Sequence, residues 1–174
     1  FLLHSFNKTG VSMYNNALSA RNDTPHNNEV LLYPSGIKMW WSTVVYFDRS
    51  NVSKMFFDLW NHVADNYEFY QFLYNFPGGL FRTDYCVSIA VHILNGMEES
   101  TIIDNFDNVP MYYLSQDDDI IDVNNKQDWI CLGCDQIENW KNLLIKHSNL
   151  DLHVMNKRAL LRMKPKIVEA FSDS

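Results

Sequence analysis

Cysteine is scarce in this chain: three residues, an odd number, among 174. That count builds no disulfide framework and favours a reducing compartment. Long apolar runs are missing too. No stretch approaches the roughly 18–20 residues that cross a bilayer, so no membrane partner is expected. Basic residues are outnumbered, 14 Lys and Arg against 21 Asp and Glu, and they are scattered. Without a basic patch, nucleic acid is not an expected partner. Neither a Gly-x-Gly-x-x-Gly nor a Walker loop occurs, and there is no Gly-x-Ser-x-Gly elbow. Repeats and low-complexity stretches are absent. No signal peptide is visible and the first residue is Phe1, which suggests either processing or a longer reading frame.

Large core groups are abundant. Hydrophobic residues make up 47% and aromatics 14%, enough for one domain, 1–174, with a real core. Phe1–Ser5 reads as a strand, and Asn7–Asn28 as a loop with a weak helical turn near Met13–Leu18. Val30–Tyr33 is a short strand broken at Pro34-Ser-Gly36. Lys38–Asp48 is β-branched and aromatic on both faces, the pattern of a central strand. Ser50 or Asn51 then caps a helix carrying Val52, Met55, Phe56, Leu59, Trp60 and Val63. A second helix, Tyr67–Phe76, places Phe69, Phe72, Leu73 and Phe76 on one face. Past residue 97 the expected elements are strands at Met111–Leu114 and Ile120–Val123, joined as a hairpin, and at Trp129–Leu132 and Leu143–Lys146. A short helix fits Gln136–Lys141. Asn156 caps a last helix, Lys157–Phe171, with a kink near Pro165. This mixture argues for an α/β layer architecture.

The most informative stretch is 78–96. Gly78 and Gly79 permit a tight loop, and Thr83 can cap a helix with Asp84 in its first turn. Val87, Ala90, Val91 and Leu94 keep helical spacing, Ile89 and Ile93 widen the apolar arc, and Gly96 can end the helix. Arg82 and Asp84 are thereby presented at the entry of a rigid, buried element. An acid in a first helical turn is also favoured simply by the helix dipole.

Other groups admit two readings. Cys131 and Cys134 form a Cys-x-x-Cys pair with no second pair to complete a zinc site, so core cysteines are the simpler account and metal or redox use the other. Asp117, Asp118 and Asp119 resemble a metal-binding acidic motif, but a solvated hairpin tip fits better. His153, between an apolar strand and a basic helix, can hold a metal or a phosphate, with Lys157 and Arg158 near the helix start, or cap that helix at the surface. Trp40 and Trp41 can form a stacking platform, although such pairs are more often core. Three Asn-x-Ser/Thr sequons, at Asn7, Asn22 and Asn51, match by chance in so Asn-rich a chain.

The blocks Met39-Trp-Trp-Ser-Thr-Val-Val-Tyr-Phe-Asp48, Phe81-Arg-Thr-Asp-Tyr-Cys-Val-Ser-Ile-Ala90 and Leu152-His-Val-Met-Asn-Lys157, in this order and spacing, resemble the C-terminal half of a glycosyltransferase-like family. That family occurs in phages and marine environmental sequences and has the nucleotide-diphospho-sugar transferase (GT-A) fold. The resemblance runs from about Phe1 to about Lys164. It implies a partial GT-A-like mixed sheet flanked by helices, and transfer of a sugar from a nucleotide-sugar donor to an unknown acceptor. It implies Asp84 facing the reacting sugar, Arg82 and Lys157 on phosphate, and the Trp40/Trp41 region on the acceptor side. His153 would join a divalent cation, Mn or Mg. The family's nucleobase site and Asp-x-Asp lie in its other half, so this chain alone is expected to be inactive. A sheet edge left bare predicts a homo-oligomer, and the setting implied is a host cytoplasm. The alternative is a non-catalytic viral interaction module on the same scaffold.

Overall fold

The computed structural model describes residues 10–15, 18–19, 31–32, 36–76, 78–98, 102–106, 111–124, 129–133, 143–146 and 151–172. In chain order its elements are β1 (Val11–Tyr14), β2 (Leu18–Ser19), β3 (Leu31–Leu32), β4 (Ile37–Lys38), β5 (Trp41–Phe47), α1 (Asn51–Asp65), α2 (Tyr67–Tyr74), α3 (Thr83–Leu94), β6 (Asp104–Asn105), β7 (Met111–Leu114), β8 (Asp119–Asn124), β9 (Trp129–Gly133), β10 (Leu143–Lys146), β11 (Asp151–Val154) and α4 (Lys157–Ser172). The class is mixed α/β, as expected. The described strands form several small sheets rather than one. The residues group into two compact units, one of Phe1–Asn16 with Asn27–Asn108, the other of Ala17–His26 with Val109–Ser174. The expected strand Phe1–Ser5 and helix Gln136–Lys141 lie outside the described residues.

In the first unit β1 is the middle strand of the sheet β5-β1-β6, antiparallel to β5 and parallel to β6. This corrects two expectations. Val11–Tyr14 is a strand and not part of a loop with a helical turn, and all four of its residues are buried. Burial on both faces removes the alternation by which a short strand is recognised. Conversely, β5 is not central among the described strands: it has one partner, and Val44, Tyr46 and Phe47 are exposed.

The core of this unit forms around α3, where Cys86 through Val91 are all buried. Phe56 and Val63 of α1, Val11 and Met13 of β1, and Trp40 belong to the same cluster. Each large aliphatic side chain buried there is worth about 1.5–3 kcal/mol. Ser50 caps α1, its hydroxyl accepting from the Ser53 N–H at 3.2 Å. Asp48 ties this entry to β1: Oδ2 accepts from the Gly10 N–H at 2.9 Å, and Oδ1 accepts from the Ser50 N–H at 2.8 Å and the Ser53 hydroxyl at 2.9 Å. Hydrogen bonds from Ser50, then from Ser53 and Gly10, hold the Asp48 carboxyl down at about 2. Past α3, Gly96 turns the chain with φ 72, a left-handed angle suited to glycine. The face expected on α2 is reversed. Tyr70 points inward, whereas Phe69, Phe72 and Leu73 are exposed, Phe72 by 87%.

In the second unit β7 lies between β11 and β2, parallel to both. β8 belongs to another sheet, β10-β9-β8, which is antiparallel throughout. The expected β7–β8 hairpin is therefore a turn from one sheet to another. Asp118 makes that turn and is buried, not solvated: its Oδ2 accepts from the Ser115 N–H at 2.7 Å, and its backbone carbonyl accepts from Asn156 Nδ2 at 2.9 Å. Asn156 caps α4 as expected, Oδ1 accepting from the Ala159 N–H at 3.0 Å. α4 packs on β8. Its Pro165 sits inside the helix, between Arg162, paired with Asp119 at 2.6 Å, and Lys166, paired with Asp122 at 2.6 Å.

Candidate functional site

Asp84 is the best-defined polar group at the entry of α3. Its Oδ1 accepts from both the backbone N–H and the hydroxyl of Ser42, at 2.8 and 2.7 Å. Ser42 lies on β5, so this carboxylate fastens the first turn of α3 to a strand 42 residues away. One turn later the Ser88 hydroxyl repeats the link, donating to the Asp84 carbonyl at 2.6 Å and accepting from the Trp40 N–H at 2.8 Å. These bonds hold the position of Asp84 from two sides. Its other oxygen, Oδ2, is left with a single described contact, the Arg82 guanidinium at 3.9 Å. The Asp84 side chain is 20% exposed and that of Arg82 46%, so water reaches both. An exposed pair at this distance contributes little to stability, about 0–1 kcal/mol.

Arg82 is the helix N-cap residue in extended conformation and makes no side-chain cap, nor does Thr83 supply the expected one. The guanidinium instead donates to the Tyr85 hydroxyl at 3.1 Å and lies 4.7 Å from the centre of that ring. Its backbone N–H donates to the Tyr67 hydroxyl at 3.1 Å, and the same hydroxyl donates to the Leu80 carbonyl at 3.4 Å. Partial burial raises the Tyr67 pKa, which keeps that hydroxyl protonated. The Phe81 ring, 4.8 Å from Tyr67, remains 56% exposed. Gly78 starts the loop at close quarters with α2, because a Cβ there would lie 2.6 Å from Gln71 Nε2.

The other expected site residues fall in several places. Trp40 is 2% exposed and belongs to the core cluster, so its ring offers no face to a ligand here and the paired platform is reduced to Trp41, which is half-buried. His153 lies on β11, in the second unit, with its ring stacked on Tyr113 at 5.6 Å. Lys157 opens α4 and donates to the Val154 carbonyl at 2.6 Å, which directs its ammonium to the strand end. The structure therefore brings together Arg82, Asp84 and the Trp40–Trp41 strand end, while His153 and Lys157 share the β11–α4 junction of the other unit. Among the described residues no three His, Cys, Asp or Glu side chains converge, so His153 does not form a cation site with its neighbours. Cys131 lies on β9 and Cys134 falls outside the described residues. Cys86 is buried in α3, and desolvation pushes its thiol up to about 11, which suits a core residue.

Sequence reading missed Ser42, Tyr67 and Ser88 as supports of this site. Only Ser88 carried a signal, a hydroxyl inside an otherwise apolar helix. No helix among the described residues is long and apolar enough to cross a membrane. No family model, curated protein or solved structure matches the chain.

Proposed function

We propose that this chain takes part in sugar transfer from a nucleoside-diphospho-sugar, on a GT-A-like scaffold, with Asp84 at the reacting sugar. The observation that carries this reading is the divided carboxylate of Asp84. One oxygen is fixed by Ser42, and the other faces water beside Arg82 at the entry of a buried helix. The order of the three sequence blocks supports it. In the reaction the bond from the anomeric carbon to the leaving phosphate oxygen breaks, and the nucleoside diphosphate keeps the electron pair. The acceptor oxygen forms the new bond and loses its proton to solvent. Asp84 Oδ2 would accept a hydrogen bond from a sugar hydroxyl, and Arg82 would meet phosphate as a two-pronged donor. Lys157 is assigned to phosphate on the resemblance alone, and a divalent cation likewise.

The test is release of nucleoside diphosphate from a panel of donors, run on this chain and on any longer reading frame that contains it. Turnover that Asp84→Asn reduces by about 100-fold or more supports the role. Full turnover in Asp84→Asn removes it.

A second reading is favoured by a separate observation. Phe69, Phe72 and Leu73 on α2 and Leu80 beyond it are large apolar side chains left in water. Such exposure marks interaction surfaces. A non-catalytic binding module would use this face, and a second copy of the chain would use the open side of β5. Sedimentation velocity tests the latter: a monomer at tens of micromolar counts against the proposed homo-oligomer.

A further inference from the structure

We infer that Phe81, with Arg82 and Asp84, forms a subsite for a pyranose ring, and that the acceptor in the proposed transfer is therefore a carbohydrate. This rests on the sugar-transfer reading for its role, though not for its geometry. Phe81 is exposed but not loose. The Tyr67 ring lies against it at 4.8 Å, and the Tyr67 hydroxyl pins the backbone on both sides, at the Leu80 carbonyl and the Arg82 N–H. Holding an apolar ring rigidly in water brings the fold no burial energy, so its placement asks for another explanation.

The polar groups next to it match one kind of ligand. The aromatic face is electron-rich and suits the weakly positive axial C–H bonds of a pyranose. Arg82 presents donors whose direction is set by Tyr85, and Asp84 Oδ2 presents acceptor capacity that its single contact at 3.9 Å leaves over. A sugar has an apolar face and an edge of hydroxyls that both donate and accept, and so uses all three groups. A phosphate alone would be repelled by Asp84, and a hydrocarbon would leave the charged pair unanswered.

The experiment is ligand-observed saturation-transfer NMR with methyl gluco-, galacto- and mannopyranosides, with glycerol as the control, on wild type, Phe81→Ala and Phe81→Trp. The expected result is binding of at least one pyranoside and not of glycerol. Phe81→Ala should weaken it about fivefold or more and Phe81→Trp should retain it, at unchanged melting temperature. Equal affinity in Phe81→Ala, or no pyranoside binding by wild type, overturns the subsite. Donor breakdown measured without any acceptor separates the two readings. Breakdown without pyranoside binding leaves transfer standing and removes the subsite. Phe81-dependent binding without breakdown of any donor does the reverse.

Discussion

The entries of α3 and α4 are built from similar materials and end in different states. At α4, Asn156 caps the helix and also donates to the Asp118 carbonyl, and the Lys157 ammonium donates to Val154. Every polar side chain named there is turned back onto the backbone of its own unit. At α3 no side chain caps the helix, and Asp84 reaches sideways to Ser42, leaving one oxygen and a nearby guanidinium facing water. A helix start whose groups answer one another is architecture. One that keeps hydrogen-bonding capacity in a fixed direction is a candidate for binding. The spacing of charged residues alone does not separate the two, because Asp84 and Lys157 look equally promising in the sequence.

The largest effect should separate the bodies of the two helices. Ile89→Ala in α3 removes a fully buried side chain and should cost about 2–5 kcal/mol in urea unfolding, whereas Leu161→Ala on the exposed side of α4 should stay within about 0.5 kcal/mol. Comparable losses would mean that α4 is buried as deeply as α3.

Next come the polar links of α3. Ser88→Ala leaves the buried Trp40 N–H without its acceptor and should cost about 1–3 kcal/mol. Asp84→Asn keeps an oxygen for Ser42 and should cost less than Asp84→Ala, although both remove the charge proposed to face the sugar. If Asp84→Asn and Asp84→Ala destabilise alike, charge rather than hydrogen bonding holds that junction.

The caps give a smaller contrast. Asn156→Ala should cost about 1 kcal/mol, while Thr83→Ala, which breaks no cap bond, should change stability by only a few tenths. Thermal melts of the two variants side by side decide it.

The smallest effect is read in acid, at the entry of α1. The Asp48 carboxyl lies at about 2 in the fold against an ordinary 3.8. A depressed folded pKa adds stability that is fully present above 3.8 and is lost as pH falls through about 2. Asp48→Asn should therefore flatten the stability–pH curve between about 4 and 2 and leave its shape at neutral pH unchanged. An unaltered acid limb would show that another carboxylate governs it.

Local signals carried much of this fold. Ser50 before α1, Asn156 before α4, the apolar arc of α3 and Gly96 at its end are all readable because caps and helical spacing act within a few residues. Pairings between distant segments were not readable. The Val11–Tyr14 strand has no alternation to display, and its neighbours come from residues 41–47 and 104–105. The buried Asp118 looked like surface because a run of three acids normally is. The α2 face was misjudged because aromatic spacing says which residues lie together, not which side meets a core. At the candidate site Arg82 and Asp84 were visible, and Ser42 was not, since nothing in a lone serine announces a partner 42 positions away.

Pro165 gives α4 a property that its outline does not suggest. Lacking an N–H, it leaves the Leu161 carbonyl without the usual helical donor. The ties to β8 stand on either side of that gap, Arg162 to Asp119 before it and Lys166 to Asp122 after it. The turns beyond the proline thus rest partly on a surface charge pair that dissolved salt weakens. Amide hydrogens after Pro165 should exchange with solvent faster as salt is raised, while those of α3 keep their pace. The helix contains its own ionic-strength gauge.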